Sequence, residues 1–365
     1  MLSFWRQWLL LLLSITLADP SWAGTITDLG TLGGAFIYAV AINDAGQVAG
    51  LSMIPDVSPG DQVVHAFRYS NGEMTDLGSL GGNFSLAWGM NNSGQVVGRS
   101  TLANGQMHAF LDSNGQMVDL GTLGGAYSEG VAVNDAGQVI GQSTLSGGAD
   151  QHAFLYSDGA MTALGTLGGS FSVAAGINND GWVVGTSRLA GNSSRHAFLY
   201  AGGIMSDLGT LGGSWSSAWS VNNAGQIFGS STLAGDNVEH AFIYANGHMT
   251  DLGPLGGFSS FSNGSNFNSS GQVAGHISLG NPYRAALFAA GVITDLNTLL
   301  PENSGWILEN AHSINDAGQV VGGGLVGGQT HAFLLSTVET QVPEPTSALL
   351  FVGGATLLFL RRRKA

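Results

Sequence analysis

The 365-residue chain contains no cysteine, which excludes disulfides, cysteine-ligated zinc and thiol catalysis together. Basic residues are also scarce, because residues 24–342 carry only five arginines against 22 acidic residues. The formal charge of this stretch is about −17, and such a surface repels phosphate backbones and acidic glycans. We therefore expect no nucleic-acid partner.

Glycine is abundant, and its 58 residues fall at fixed places in a phrase that recurs along the chain. A His-Ala-Phe element marks six copies, and "RAALF" marks a degenerate one. Successive copies are 43, 44, 44, 44, 44 and 47 residues apart, so we interpret the chain as one long repeat array. Repeats one to seven are numbered by their marker residues, which are His65, His108, His152, His196, His240, Arg284 and His331.

Each copy divides into four short apolar segments bounded by Gly, Asn or Ser, which is a strand signature. In repeat four these segments are "SVAAGIN", "GWVVGTS", "HAFLYAGG" and "IMSDLG". The first two are joined by "N-x-x-G" and the last two, in several copies, by "SNG", "SDG" or "ANG", which is hairpin chemistry. The pattern predicts four antiparallel strands per repeat and leaves no room for helices.

Four strands every 44 residues are typical of a β-propeller blade. The first segments contain very small residues, such as Ala39 and Ala41, as expected for strands crowded around an axis. Residues 25–30 (TITDLG) supply a lone fourth strand, and residues 331–335 (HAFLL) end on a third strand without a fourth. The sequence thus predicts an all-β, seven-bladed β-propeller, closed by the N-terminal strand completing the last blade. The alternative is an open β-solenoid, which has no use for complementary ends.

The six His-Ala-Phe elements resemble those of the extracellular HAF repeat family over nearly the whole of residues 24–337. This resemblance implies an extracellular protein and carries no established activity. It agrees with the reading of the repeat and adds no catalytic residue.

The recurring histidines invite a metal or acid–base interpretation. Equivalent positions of different blades lie too far apart to share a ligand sphere, so we expect His65, His108, His152, His196, His240 and His331 to make structural hydrogen bonds. Arg284, in the same position of repeat six, fits a donor role. We expect no bound metal and no cofactor.

A recurring aspartate precedes the Gly-rich turn of each repeat except repeat three, where Ala163 replaces it. We expect this carboxylate to accept backbone N–H bonds, and calcium binding is the alternative. The aspartates are Asp28, Asp76, Asp119, Asp207, Asp251 and Asp295. Two histidines outside the repeat pattern, His276 and His312, form a further candidate polar cluster with Arg284 and Glu309.

Aromatic residues follow the double glycine in the loop that enters each first strand. They form the candidate ligand-binding set, which is Phe36, Phe84, Tyr127, Phe171, Trp215 and Phe258. Flat rings suit the apolar faces of sugars, while neighbouring amides and hydroxyls bond sugar hydroxyls. The alternative is that these rings are core residues wedged between blades.

Residues 1–23 are typical of a secretory signal peptide, with an Arg6 start and a Leu-rich stretch. Small residues before the junction predict signal-peptidase cleavage between Ala23 and Gly24. The alternative is a membrane anchor, for which the apolar stretch is short.

Residues 338–365 contain Pro343, Glu344 and Pro345, an apolar run at 347–360, and then Arg361, Arg362 and Arg363. As a helix this run reaches about 21 Å, less than the roughly 30 Å of a bilayer core, so we expect a transient rather than a permanent membrane association. The order of parts resembles the PEP-CTERM sorting signal of Gram-negative bacteria. That resemblance implies cleavage near Pro-Glu-Pro by an exosortase-like protease and release from the inner membrane to the cell surface or matrix. A plain membrane anchor is the alternative.

The sequence favours a secreted, non-catalytic propeller that binds or scaffolds in the extracellular matrix, with a neutral glycan as the ligand. It contains no paired-carboxylate motif, nucleophile elbow or phosphate loop. The alternative is an extracellular polysaccharide hydrolase or lyase on the same scaffold, since propeller enzymes assemble sites from several blades.

Overall fold

The computed structural model describes residues 24–55, 63–148, 150–254, 258–259, 266–278 and 283–336. Within these ranges the regular secondary structure is β-strand, apart from one 3-10 turn at Leu296–Leu299. The predicted leader, with Ala23, and the predicted tail, with its Pro-Glu-Pro and arginines, lie outside the described residues.

The strands are short and follow the repeat. Repeats one and two contain β2 Ile37–Ile42, β3 Val48–Met53, β4 Val64–Ser70, β5 Glu73–Asp76, β6 Gly81–Met90, β7 Val96–Leu102, β8 Met107–Ser113 and β9 Gln116–Asp119. Repeats three and four contain β10 Gly124–Val133, β11 Val139–Leu145, β12 Gln151–Ser157, β13 Ala160–Gly165, β14 Gly168–Ile177, β15 Val183–Leu189, β16 Arg195–Ala201 and β17 Ile204–Asp207. Repeats five and six contain β18 Gly212–Val221, β19 Ile227–Leu233, β20 Glu239–Ala245, β21 His248–Pro254, β22 Phe258–Ser259, β23 Gln272–Ile277, β24 Arg284–Ala289 and β25 Val292–Asp295. Repeat seven contains β26 Trp306–Ile314, β27 Gln319–Val326 and β28 Gln329–Ser336, and the first strand of the described chain is β1 Thr25–Asp28.

Within each repeat the strands pair antiparallel in chain order, as predicted. Repeat seven takes its fourth strand from the other end of the chain, because β1 pairs with β28 in the order β1-β28-β27-β26. The register runs from Thr25 opposite Ser336 to Asp28 opposite Phe333. The first and last described strands are therefore neighbours in one sheet.

Two kinds of turn set the register of each sheet. At the "N-x-x-G" turn the Asn43 side chain accepts from the backbone N of Gln47 at 2.9 Å, and Gly46 adopts a positive φ of 74°. At the second hairpin Asn71 and Gly72 both have positive φ, the combination that a two-residue type I′ turn requires. Both turns are the ones that the sequence predicts.

The core lies between successive repeats. The Phe of the His-Ala-Phe element is fully buried in six repeats, from Phe67 to Phe333. Its ring packs on a strand glycine, and a Cβ on Gly141 would lie 2.8 Å from the Phe154 ring and 1.8 Å from the Glu129 carbonyl oxygen. One buried cluster unites repeats seven and one, because Val321 and Ala332 pack with residues such as Phe67.

Candidate functional site

Each marker histidine pairs with the aspartate eleven residues later, across the third and fourth strands. His65 Nδ1 donates to the Asp76 carboxylate at 2.9 Å, and this carboxylate also accepts from the backbone N of Gly78 at 2.7 Å. Equivalent histidine–aspartate pairs occur in repeats two, four and five, at 2.8–3.0 Å. Histidine and aspartate thus form one hydrogen-bonded unit in these repeats, a pairing that was not predicted from the sequence.

Repeats three, six and seven depart from this pattern, each in a different way. In repeat six Arg284 Nε bonds Asp295 Oδ2 at 2.8 Å, so the arginine serves as the predicted donor. In repeat seven His331 Nδ1 lies 2.7 Å from Asp28 Oδ2, although at an angle outside hydrogen-bond geometry. In repeat three Ala163 occupies the register position of the aspartate, so His152 has no such carboxylate opposite it. No group of three or more His, Asp or Glu among the described residues is arranged to hold a metal.

The first-turn asparagines form a second repeated feature, which we call the asparagine ring. In every repeat the side-chain Nδ2 of this asparagine donates to the backbone oxygen of its counterpart in the next repeat, at 2.9–3.3 Å. The last of these bonds runs from Asn315 back to Asn43, across 272 residues of chain. The members are Asn43, Asn91, Asn134, Asn178, Asn222, Asn268 and Asn315. All of them except Asn178 line a polar cavity of about 140 Å³.

Most of the predicted aromatic set lies on strands rather than in a loop. Phe84, Tyr127, Phe171 and Trp215 lie within the first strands themselves, and Phe36 comes just before β2. The strands extend back because a glycine lets the chain approach its partner closely: a Cβ on Gly82 would lie 2.1 Å from Thr101 Oγ1. The loop assignment was therefore wrong, while Phe258 lies on β22 and its side chain is outside the described part.

These rings are half-buried, neither fully core nor free platforms. Arg99 lies over the Phe84 ring at 6.0 Å and Arg188 over the Phe171 ring at 5.8 Å, both within reach of a cation–π contact. The Tyr127 hydroxyl donates to Glu129 and accepts from Arg99 at 3.0 Å. Phe84, Tyr127 and Phe171 are thus engaged by side chains of their own or the preceding repeat.

Some residues that differ between repeats lie on the first and second strands, and we call these the variable layer: Trp88, Arg99, Glu129, Gln142, Val173, Thr186 and Ser217. Arg99 on β7 bonds Glu129 on β10 at 3.0 Å, and Thr186 on β15 bonds Ser217 on β18 at 2.6 Å. In both cases a second-strand position of one repeat contacts a first-strand position of the next. The variable layer therefore makes different contacts at these two junctions, although the scaffold repeats.

A cavity of about 300 Å³ lies in this layer, between repeats two and five. Its lining includes Trp88, Glu129, Gln142, Val173, Thr186 and Ser217. Glu129 is mostly buried, with 9% of its side chain exposed, and Arg99 pairs with it. Burial raises the pKa of the adjacent Tyr127, and its hydrogen bond to Glu129 and that group's charge raise it further, against the opposing effect of Arg99.

The two unpatterned histidines lie near each other. His312 is buried, its Nδ1 donates to the Ala39 backbone oxygen at 2.7 Å, and burial lowers its pKa to about 4, with a further lowering from the charge of His276. Burial also lowers the pKa of His276. Arg284, the third member of the predicted cluster, pairs with Asp295 instead, and Glu309 lies half-buried on β26.

The sequence analysis did not identify Trp88, Gln142, Thr186 or Ser217 as site residues. The signal was present as departures from the repeat: Trp88 corresponds to Val40 in repeat one, and Gln142 to Leu51. Residues that every copy shares form the scaffold, so the positions that vary can carry side chains that bind a ligand.

No family model matches the chain, and a search of curated proteins found no match. Among solved structures, the β-propeller domain of the trilobed protease from Pyrococcus furiosus, described as having an open velcro topology, matches with a TM-score of 0.60 and 8% identity over 86% of this chain and 99% of that one. A puromycin-hydrolysing peptidase of Mycobacterium tuberculosis matches with a TM-score of 0.53 and 16% identity over 85% of this chain and 52% of that one. An acylaminoacyl peptidase of Pyrococcus horikoshii has a TM-score of 0.53 and 7% identity, over 86% of this chain and 52% of that one.

The chain spans about half the length of these two peptidases. At such low identity the likeness concerns the fold alone, and it places this chain among β-propeller-like, all-β proteins. In the described part of the chain no helix is long and apolar enough to cross a membrane, and the predicted span at residues 347–360 lies outside that part.

Proposed function

We propose that this protein is a secreted, seven-bladed, closed β-propeller that binds a ligand without transforming it. Three observations support the closed ring: the β1–β28 pairing, the packing of repeat seven on repeat one, and the bond from Asn315 to Asn43. An open solenoid would leave these groups far apart.

The observation that carries the binding function is the cavity in the variable layer. A scaffold of near-identical repeats has no structural need for different side chains at equivalent positions of its first and second strands. There the chain places an indole, an amide, two hydroxyls and one carboxylate around about 300 Å³. Apolar surface with a few convergent polar groups is the usual composition of a small-molecule site.

The alternative, a polysaccharide hydrolase or lyase, has weaker support. Glycoside hydrolysis ordinarily uses two carboxyl groups, and Glu129 is the one acidic residue among the described residues that line this cavity. That carboxylate is bound by Arg99 and Tyr127 rather than open for proton transfer. A lyase acting on acidic chains would have to overcome the repulsion of a strongly negative protein.

We propose that signal peptidase cuts before Gly24 and that an exosortase-like protease cuts near Pro343–Pro345, so that the protein reaches the cell surface or matrix. The resemblance of the tail to a PEP-CTERM signal supports this route. Replacing Pro343, Glu344 and Pro345 by alanine should leave the protein in the inner membrane, as measured by cell fractionation. Normal-sized protein in the medium would contradict the route.

The binding function is tested with the full chain, the extracellular polymer of the producing cells and a panel of neutral glycans. We expect retention of the protein on at least one of these without release of new reducing ends. Product release with turnover would instead favour the enzyme.

A further inference from the structure

We infer that the cavity beside Trp88 binds a single ring of a neutral sugar, with the indole as its apolar platform. This inference rests on the proposed binding function and names its site and ligand class. It moves the site away from the predicted aromatic set, which we also call the aromatic row, to the variable layer between repeats two and five.

The first argument is an unused donor. Trp88 Nε1 is buried and has no hydrogen-bond partner among the described residues. A buried N–H without an acceptor costs free energy and is rare in folded proteins. The Trp88 Nε1 atom has almost no accessible surface, so a ligand hydroxyl in the cavity reaches it only after the indole rotates; as the structure stands, Trp88 contributes its ring to the cavity wall.

The second argument is the mixture of groups around the ring. Gln142 offers both donor and acceptor atoms, and Thr186 and Ser217 present a bonded pair of hydroxyls that can be re-paired with a ligand. Val173 adds apolar surface on the same wall. Sugar rings carry hydroxyls at the edge and C–H groups on the face, so they match such a lining.

The third argument is charge. Glu129 is paired with Arg99 at 3.0 Å, so the two together bring no net charge to the site. The excess of negative charge over residues 24–342 then disfavours an anionic ligand. A volume of about 300 Å³ is at the small end of the range for ligand pockets, which suits one sugar ring better than a long segment of polymer.

The repeat itself shows that Trp88 is not required for packing. Its counterparts in repeats one, three and four are Val40, Val131 and Ala175. The other tryptophan at this position, Trp219 in repeat five, is 9% exposed and packs edge-on against Phe228, with ring centroids 5.5 Å apart. Trp88 is thus an exception that the scaffold does not explain.

The test measures the affinity of the full chain for D-glucose, D-galactose, D-mannose and N-acetylglucosamine by calorimetry. Trp88→Ala should weaken binding about tenfold or more, since the indole platform in the cavity wall is lost. Trp182→Gln is the matched control, because Trp182 is half-buried outside the cavity and the equivalent residue in other repeats is glutamine. The control should keep wild-type affinity.

A labelling experiment gives an independent readout, because the chain has no cysteine. Val173→Cys places one thiol in the cavity lining, and Gln116→Cys places one on an exposed outer strand. The binding sugar should slow thiol modification at position 173 and leave position 116 unaffected.

The outcomes separate the inference from the function on which it rests. If a sugar binds but Trp88→Ala keeps its affinity while Trp215→Ala loses it, the site is the aromatic row, and the inference is wrong although the binding function stands. If none of the sugars binds or protects position 173, the inference is wrong. Retention on the extracellular polymer would then still support a binding protein.

Discussion

Repeat three lacks one bond that its neighbours have, and Ala163→Asp should restore it. Ala163 lies opposite Phe154, in the register that Asp119 has opposite Phe110. The new carboxylate would accept from His152 Nδ1, as Asp119 does from His108 at 2.9 Å. It would also accept a backbone N–H two residues later, as Asp119 does from Gly121 at 2.8 Å.

The magnitude follows from how exposed such pairs are. The aspartates of the intact pairs have 36–42% of their side chains exposed, so solvent screens each pair substantially. A pair of this kind contributes about 0.2–1 kcal/mol, and the extra backbone hydrogen bond about 0.5–1.5 kcal/mol. We expect the free energy of unfolding to rise by about 1–2 kcal/mol and the Tm by about 1–3 °C for a domain of this size.

The assay is urea unfolding of the full chain at pH 7, with Asp119→Ala in repeat two as the reciprocal variant. Asp119→Ala should lose about what Ala163→Asp gains. In a His152→Leu background the gain should shrink to the backbone bond alone. A full gain in that background, or no gain while Asp119→Ala is destabilising, would refute the assignment of stability to the pair.

Three further predictions concern buried polar groups. Because the folded pKa of His312 is about 4, below its unfolded value of about 6.5, stability should fall as pH drops from about 6.5 towards 4, and His312→Asn should flatten that fall in pH-dependent Tm measurements. Burial disfavours the ionised carboxylate of Asp112 and raises its pKa, so Asp112→Asn should raise the Tm by an amount that grows as the pH increases; a gain that does not grow with pH would count against this. Asn134→Ala removes one member of the asparagine ring and should cost about 2–4 kcal/mol in urea unfolding, whereas the exposed Asn83→Ala should cost under about 0.5 kcal/mol.

Much of the local structure could be predicted because each repeat carries turn-forming residues at fixed positions. Asn43 and Gly46 encode one hairpin, Asn71 and Gly72 the other, and the apolar segments between them can only pair antiparallel. The complementary segments at residues 25–30 and 331–335 likewise predicted a sheet shared between the two ends, and β1 does pair with β28.

The site was harder to predict for a physical reason. The alternation of residues along a strand predicts which residues share a face, but it does not predict which junction between repeats contains a cavity. The cavity is lined by side chains from several repeats: Trp88 from repeat two, Glu129 from repeat three and Ser217 from repeat five. Trp88 and Ser217 are 129 residues apart in the sequence. The aromatic row was assigned to a loop because the sequence of one segment does not show contacts between strands. The close approach of Gly82 to Thr101, which extends the first strand, is such a contact.

The measurement that tests the closed ring most directly is a cross-link between the two ends. Thr27 and Leu334 are opposite each other in the β1–β28 register, and the chain has no cysteine to interfere. Thr27→Cys with Leu334→Cys should form an intramolecular disulfide under mild oxidation in the native monomer, detected by peptide mass mapping. The pair Thr27→Cys with Val118→Cys, on the outer strand of repeat two, should not. Failure of the first pair to cross-link in folded monomer would contradict the closed ring and favour the open solenoid.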